Sequence, residues 1–163
     1  MSNKKLILAI DSSLACPAFA VCEVNLITKN IKVIEVSHVK TNSKKSTGFR
    51  LFQIWNHAND ILDRYTFDAV VFEKGFNKFA VATQQIQRTV GLLLFTLYCK
   101  EVENIDEIAP TSVKKAVTGN GKATKEQLAE ALESYVGVVK YKTNDESDAV
   151  GVAIALALQK GWI

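Results

Sequence analysis

The sequence predicts an α/β fold: a mixed five-stranded sheet, an antiparallel meander followed by parallel strands, with helices on both faces. Three observations carry that expectation. The first three apolar segments have strand length and are joined by turn residues. From residue 47 onward, helical and strand-like periodicities alternate. Only two prolines interrupt the 163 residues. No low-complexity linker or internal repeat marks a boundary, so residues 1–163 are expected to form one domain with a substantial core.

Residues 5–11 predict a buried central strand, whose apolar run from Leu6 to Ile10 is closed by Asp11. Residues 18–26 and 31–39 are rich in Val and Ile, and Thr28-Lys29-Asn30 between them is turn chemistry. Residues 47–65 predict a helix whose buried face carries Leu51, Trp55, Ala58, Ile61, Leu62 and Tyr65. A strand over 67–73 ends at Glu73, and a helix over 79–102 follows the loop at Gly75. Residues 105–109 suit a short strand. Pro110-Thr111-Ser112 opens a helix that Gly119-Asn120-Gly121 stops. Thr124 begins another, reaching residue 135. Thr143 and Glu146 have capping-box spacing, which starts the last helix and assigns Glu146 to the cap.

Against that frame, four carboxylates stand where an α/β core does not ordinarily place charge. Asp11 and Glu73 each end an apolar strand, and Asp145 and Asp148 head the last helix on one face. A buried strand ending in an unpaired carboxylate is costly unless a cation meets it. Singly, each has an ordinary explanation; acids at a helix N-terminus, for instance, answer the macrodipole. Jointly they describe a hard-oxygen site for Mg²⁺ or Mn²⁺. If the two strands are parallel neighbours, their carboxyl ends share the edge where open α/β sheets bind ligands. The chemistry expected of such a site is two-metal phosphodiester hydrolysis.

The net charge of +3 is modest, but its distribution is uneven. Residues 74–100 contain Lys74, Lys78, Arg88 and Lys100 and no acid. Residues 108–125 contain Lys114, Lys115, Lys122 and Lys125 and no acid. Residues 29–50 hold six Lys or Arg against Glu35 alone. Such runs are commonly solvated faces, yet three of them around a carboxylate cluster suit a polyanion. Lys122 does not belong to a P-loop, because Ala116 and Ala123 stand where that motif needs Gly and Ser or Thr. Cys16, Cys22 and Cys99 lack metal spacing and read as reduced thiols, while His38 and His57 read as ordinary residues. With no signal-peptide pattern and no membrane-length apolar stretch, a cytoplasmic location is expected.

The segments Ile10-Asp11-Ser12-Ser13, Val71-Phe72-Glu73-Lys74-Gly75-Phe76, Val113-Lys114-Lys115-Ala116-Val117-Thr118-Gly119 and Asp145-Glu146-Ser147-Asp148-Ala149-Val150 occur in a telling order. Together they resemble the RuvC family of Holliday-junction resolvases, which have a ribonuclease H-like fold. The resemblance spans nearly the whole chain, and its compact length looks like the bacteriophage branch of the family. It implies Asp11, Glu73, Asp145 and Asp148 as ligands of two Mg²⁺ (or Mn²⁺) ions. It implies Phe76 as a junction-probing aromatic and Lys114 as a DNA contact, with Lys125 beside the scissile phosphate as a further catalytic group. Lys74, Lys115 and Lys122 are the other expected DNA contacts. The implied partners are branched DNA and a second copy of the chain, and no helicase partner is specified.

The helix over 79–102 is the expected dimer contact, because residues 90–99 are apolar on nearly every face. One departure stands out. Family members usually follow the first aspartate with Pro-Gly and place a Thr-Gly further on, where this chain has Ser12-Ser13 and Pro17-Ala18. Two alternatives stay open at this point: a ribonuclease H-like nuclease with another nucleic-acid substrate, and a non-catalytic DNA-structure-binding protein.

Overall fold

The computed structural model describes residues 3–75 and 80–163. Its elements run β1 (Lys4–Asp11), β2 (Ala18–Asn25), β3 (Asn30–His38), α1 (Thr47–Arg64), β4 (Ala69–Glu73) and α2 (Ala80–Tyr98). They continue with β5 (Ile105–Ile108), α3 (Pro110–Thr118), α4 (Lys125–Val136) and α5 (Asn144–Gln159). The five strands form one sheet in the order β3-β2-β1-β4-β5. The first three pair antiparallel, and β4 and β5 add in parallel beside β1.

The meander closes where Asn25 Oδ1 accepts from the backbone N–H of Ile27 and Thr28. The crossovers through α1 and α2 make the parallel half possible, since a tight turn cannot join parallel strands. Alternation along each strand then sorts the core into two layers. Ile7, Ala9, Ala20, Cys22 and Val71 face α3, α4 and α5. Leu8, Ile10, Phe19, Val21 and Phe72 face α1 and α2, among Ile54, Ile61, Leu93 and Leu97.

The helix closest to the sheet centre is α5, and residues 149–157 of it are all buried. Small residues allow this close approach. Gly151 packs against α3 and α4, where a Cβ would meet Val113 Cγ1 at 3.5 Å and Leu128 Cδ2 at 3.7 Å, ordinary contact distances that leave room for alanine and for little more. Close packing of this kind fixes the depth and direction of α5, and with them the position of its N-terminus.

Two expectations need correction. The buried face of α1 is Arg50, Ile54, Ala58 and Ile61, and Trp55 lies outside, stacked on Phe52 with ring centroids 5.8 Å apart. Burying Ile54 on the sheet turns the adjacent position, Trp55, outward by the ~100° step of the helix. Secondly, α2 ends at Tyr98, with Glu101 at φ 61 in the reversal that follows, short of the expected residue 102.

Candidate active site

Register brings the strand-end acids together. Ile10 pairs with Phe72 across the parallel β1–β4 ladder, so the next residues, Asp11 and Glu73, emerge side by side at the carboxyl edge. Thr143 caps α5, its hydroxyl accepting from Glu146 N at 3.3 Å, and the first turns of that helix point Asp145 and Asp148 at the same edge. One carboxylate oxygen from each of Asp11, Asp145 and Asp148 lies within 4.8 Å of the others. Glu73 adjoins this trio without belonging to it at that distance, and its charge bears on Asp11.

The crowding has an electrostatic consequence. Burial, followed by the charges of Glu73, Asp145 and Asp148, pushes the Asp11 carboxyl up to about 8, with Lys125 opposing. Burial and then Asp148 push Glu73 up to about 7, against the pull of Lys125 and Lys114. Carboxylates this close favour a divalent cation as the alternative to protonation. The donor set, all hard oxygen, fits Mg²⁺ or Mn²⁺.

Lys125 Nζ meets Asp148 Oδ2 at 3.0 Å from the first turn of α4, and that hydrogen bond raises the lysine's own pKa. Among the expected DNA contacts, Lys114 lies near enough to Glu73 to lower its pKa. The backbone N–H of Lys74 donates to Ile108 O at 2.8 Å and extends the β4–β5 ladder beyond the acid. Lys115 and Lys122 are exposed, and the structure does not bring them to the acids. Phe76 lies outside the described residues.

Sequence reasoning missed three neighbours of the site. Cys16 hydrogen-bonds Asp145, and burial together with that acid pushes the thiol up to about 11. Glu146 is buried, and its carboxylate meets His38 Nδ1 at 2.7 Å and accepts from Lys142 N at 2.6 Å, so its side chain does not complete the expected capping box. The charge of Lys40 reaches Cys16. No spacing rule links these residues, because they come from separate elements. At the Ser12-Ser13 departure, Ser13 Oγ accepts from Cys16 N at 2.9 Å, so a side chain shapes the turn that follows Asp11.

The family model for crossover junction endodeoxyribonuclease RuvC matches residues 7–156. The chain belongs to the RuvC family. A RuvC from Ehrlichia chaffeensis is 36% identical over 155 residues, covering 94% of this chain and 97% of its own. A RuvC from Alkaliphilus metalliredigens is 30% identical, covering 93% and 92%. Among solved structures, Thermus thermophilus RuvC in complex with a Holliday junction substrate superposes with a TM-score of 0.87 at 21% identity, covering 96% of this chain and 94% of that one. That likeness establishes the RuvC fold, which is ribonuclease H-like. These relatives are bacterial, and they lend the expected bacteriophage origin no support. Among the described residues, no helix is long and apolar enough to cross a membrane.

Proposed function

We propose that this RuvC-family chain is a crossover junction endonuclease, hydrolysing phosphodiester bonds in Holliday junctions and other branched DNA during recombination or repair. The observation that carries the reading is the convergence of Asp11, Asp145 and Asp148, with Glu73 beside them, at the sheet edge. A DNA-structure binder has no use for buried acids that repel one another and the phosphates alike.

Asp11, Glu73, Asp145 and Asp148 would hold two Mg²⁺ or Mn²⁺ ions. When bound, such ions supply Lewis acidity to the scissile phosphate and lower the pKa of the attacking water. The chain's own part is to fix the donors on a strand pair and a helix that cannot shift, and to offset surplus charge through Lys125. Lys114 and Lys74 flank Glu73 and suit phosphates on either side of the cut. Lys115 and Lys122, exposed and away from the acids, are assigned as further DNA contacts, and Phe76 as the aromatic that probes the junction.

Residues 1–163 are read as one nuclease domain working as a homodimer, since paired nicks across a twofold junction call for two sites. The exposed side of α2 supports this: Val81, Phe95 and Tyr98 are each more than 60% accessible. The three cysteines are free, which suits a reducing cytoplasm.

The test is cleavage of a synthetic four-way junction beside matched duplex and an RNA–DNA hybrid, with and without Mg²⁺. Paired nicks in the junction alone, only with metal, are expected. Preferential cutting of the hybrid, or junction binding without any cleavage, would overturn the assignment.

A further inference from the structure

We propose that the β3–α1 loop, residues 39–46, is a second phosphate-binding track, on the opposite side of the acid cluster from α3, with Lys40, Lys44 and Lys45 as its cations. This inference rests on the proposed action on DNA and adds to it the surface that receives one arm of the substrate.

Topology places the loop. β3 runs in the same direction as β1, because each is antiparallel to β2 between them. Asp11 pairs with Ala18, and Ala18 pairs with His38, so these residues form one row at the carboxyl edge. At ~4.8 Å per strand, His38 stands about 10 Å from Asp11, and Lys40 lies just beyond it. On the other flank, Glu73 and Ile108 continue the row toward α3 and Lys114. The acids therefore sit between two basic flanks. About 10 Å along the axis of a duplex spans about three base-pair steps.

Carboxylate pairing occupies some lysines and not others; Lys74, Lys114, Lys115 and Lys122, on the other flank, share with the loop lysines the lack of a carboxylate partner among the described residues. Lys4 and Lys32 meet Glu23, Lys5 meets Asp68, Lys100 meets Asp63 and Lys160 meets Asp106. Lys40, Lys44 and Lys45 are exposed and have no carboxylate partner among the described residues. No Asp or Glu occurs between Glu35 and Asp60 in sequence. Lys40 is also close enough to Cys16, the thiol bonded to Asp145, to act on it electrostatically. Unpaired cations at the mouth of an acidic site need a counter-charge, and a nucleic-acid backbone supplies one.

The loop is built, not loose. Val39 N donates to Pro17 O at 3.0 Å and Thr41 N to Ala15 O at 2.9 Å, tying it to the segment that leaves Asp11. Thr41 Oγ1 donates to Leu14 O at 2.6 Å and accepts from Nε of the buried Arg50 at 2.9 Å. Asn42 Oδ1 accepts from Lys44 N, fixing the turn that presents both adjacent lysines. Ser46 then caps α1, whose first turn holds no acid to repel a phosphate. A preordered loop loses little entropy on binding, which is what a fixed track requires.

The test is a salt titration of four-way junction binding in potassium chloride and EDTA, in an Asp11→Asn background that cannot cut. Two triple variants are compared there: Lys40→Ala/Lys44→Ala/Lys45→Ala and Lys4→Ala/Lys32→Ala/Lys160→Ala. The second removes equal charge from the far side of the sheet, and thermal melts check folding of both. The loop variant should flatten the slope of log K against log salt by about 2 to 3, at ~0.9 per phosphate contact, and the far-side variant by less than about 0.5. An unchanged slope in the loop variant overturns the inference, as does equal flattening in both, which would mark a net-charge effect. If the background protein binds no junction even at low salt, the proposed function itself fails, and the two failures are thereby told apart.

Discussion

Glu146 and His38 join the head of α5 to the end of β3, with Glu146 Oε1 2.7 Å from His38 Nδ1 and Glu146 Oε2 accepting from Lys142 N. Glu146 lies between the assigned ligands Asp145 and Asp148 in sequence, yet its buried carboxylate is engaged with the frame. It locks the helix end that aims both ligands, so it is a positioning residue. Glu146→Ala leaves two polar partners unsatisfied and should cost roughly 1–3 kcal/mol, seen as a Tm several degrees lower. It should also raise the Mg²⁺ concentration giving half-maximal cleavage by about 10-fold or more, the scale on which residues supporting metal ligands act. Glu146→Gln, which keeps an acceptor for Lys142 N, should recover most of both. Wild-type metal dependence in Glu146→Ala would remove the positioning role.

The four assigned ligands should behave differently from Glu146. Asp11→Asn, Glu73→Gln, Asp145→Asn and Asp148→Asn keep side-chain size and remove a negative oxygen. Each should lower junction cleavage by about 100-fold or more, the scale of losing a preorganised electrostatic group, while junction binding holds or tightens. Rates from single-turnover cleavage and affinities from gel shift separate the two. Near-normal cleavage in all four variants would refute the metal assignment.

Stability of the metal-free protein should fall as pH rises. Asp11 at about 8 and Glu73 at about 7 both lie above their ordinary values of 3.8 and 4.5. Between about pH 4 and 8 the folded state therefore holds protons that the unfolded chain has released, and raising pH favours unfolding. Carboxylates held low by cations, such as Glu35 beside Arg64, act in the opposite sense but at more acidic pH, and His57, held low by burial, opposes the trend only up to about its ordinary 6.5. Melts in EDTA should thus show Tm declining from pH 5 to pH 8, with a weaker decline in Asp11→Asn. Adding Mg²⁺ should reverse the trend, since the metal binds the deprotonated acids. A flat EDTA profile would mean that the cluster is already ionised at neutral pH.

What the sequence made legible follows from how local each signal is. Apolar runs closed by Asp11 and Glu73 announce both a strand and its functional end within a few residues. Asp145 and Asp148 announce a shared helix face. The sheet order that joins them is non-local and rests on the crossovers. Glu146 was misread because Thr143-x-x-Glu146 satisfies a local capping rule, while its partner His38 lies 108 residues away. Trp55 was misread because periodicity alone does not choose between Ile54 and Trp55 as the residue that meets the sheet. Lys40 was legible only as part of the basic run 29–50, since its place near Asp11 rests on the pairing of β3 through β2 to β1.

Phe76 should affect branched substrates selectively. It follows Glu73 by three residues in sequence, and its assigned task is stacking on unpaired bases at the crossover. Base–aromatic stacking is worth about 1–3 kcal/mol per base. Phe76→Ala should therefore slow junction cleavage by about 10-fold or more and leave duplex affinity nearly unchanged. Junction cleavage at the wild-type rate would dismiss the role, and an early melt without a selective defect would assign Phe76 to packing.

The dimer surface should map to the outer side of α2, and the structure determines which substitutions can test it. Leu93 and Leu97 belong to the apolar run 90–99 expected at the contact, but both are 1% accessible and pack among the residues that cover the α1 side of the sheet. A glutamate at either would bury a charge in the core and unfold the chain, whatever the oligomeric state. Phe95 and Tyr98 stand 64% and 63% accessible on the same helix, with Leu94 at 39% beside them. Phe95→Glu and Tyr98→Glu should leave Tm within a few degrees of a monomeric reference and shift sedimentation from dimer toward monomer at micromolar concentration. Paired nicking of one junction should then decay into independent single nicks, because each site must find the DNA separately. A wild-type monomer at that concentration, or a Phe95→Glu variant that remains fully dimeric, would place the interface elsewhere.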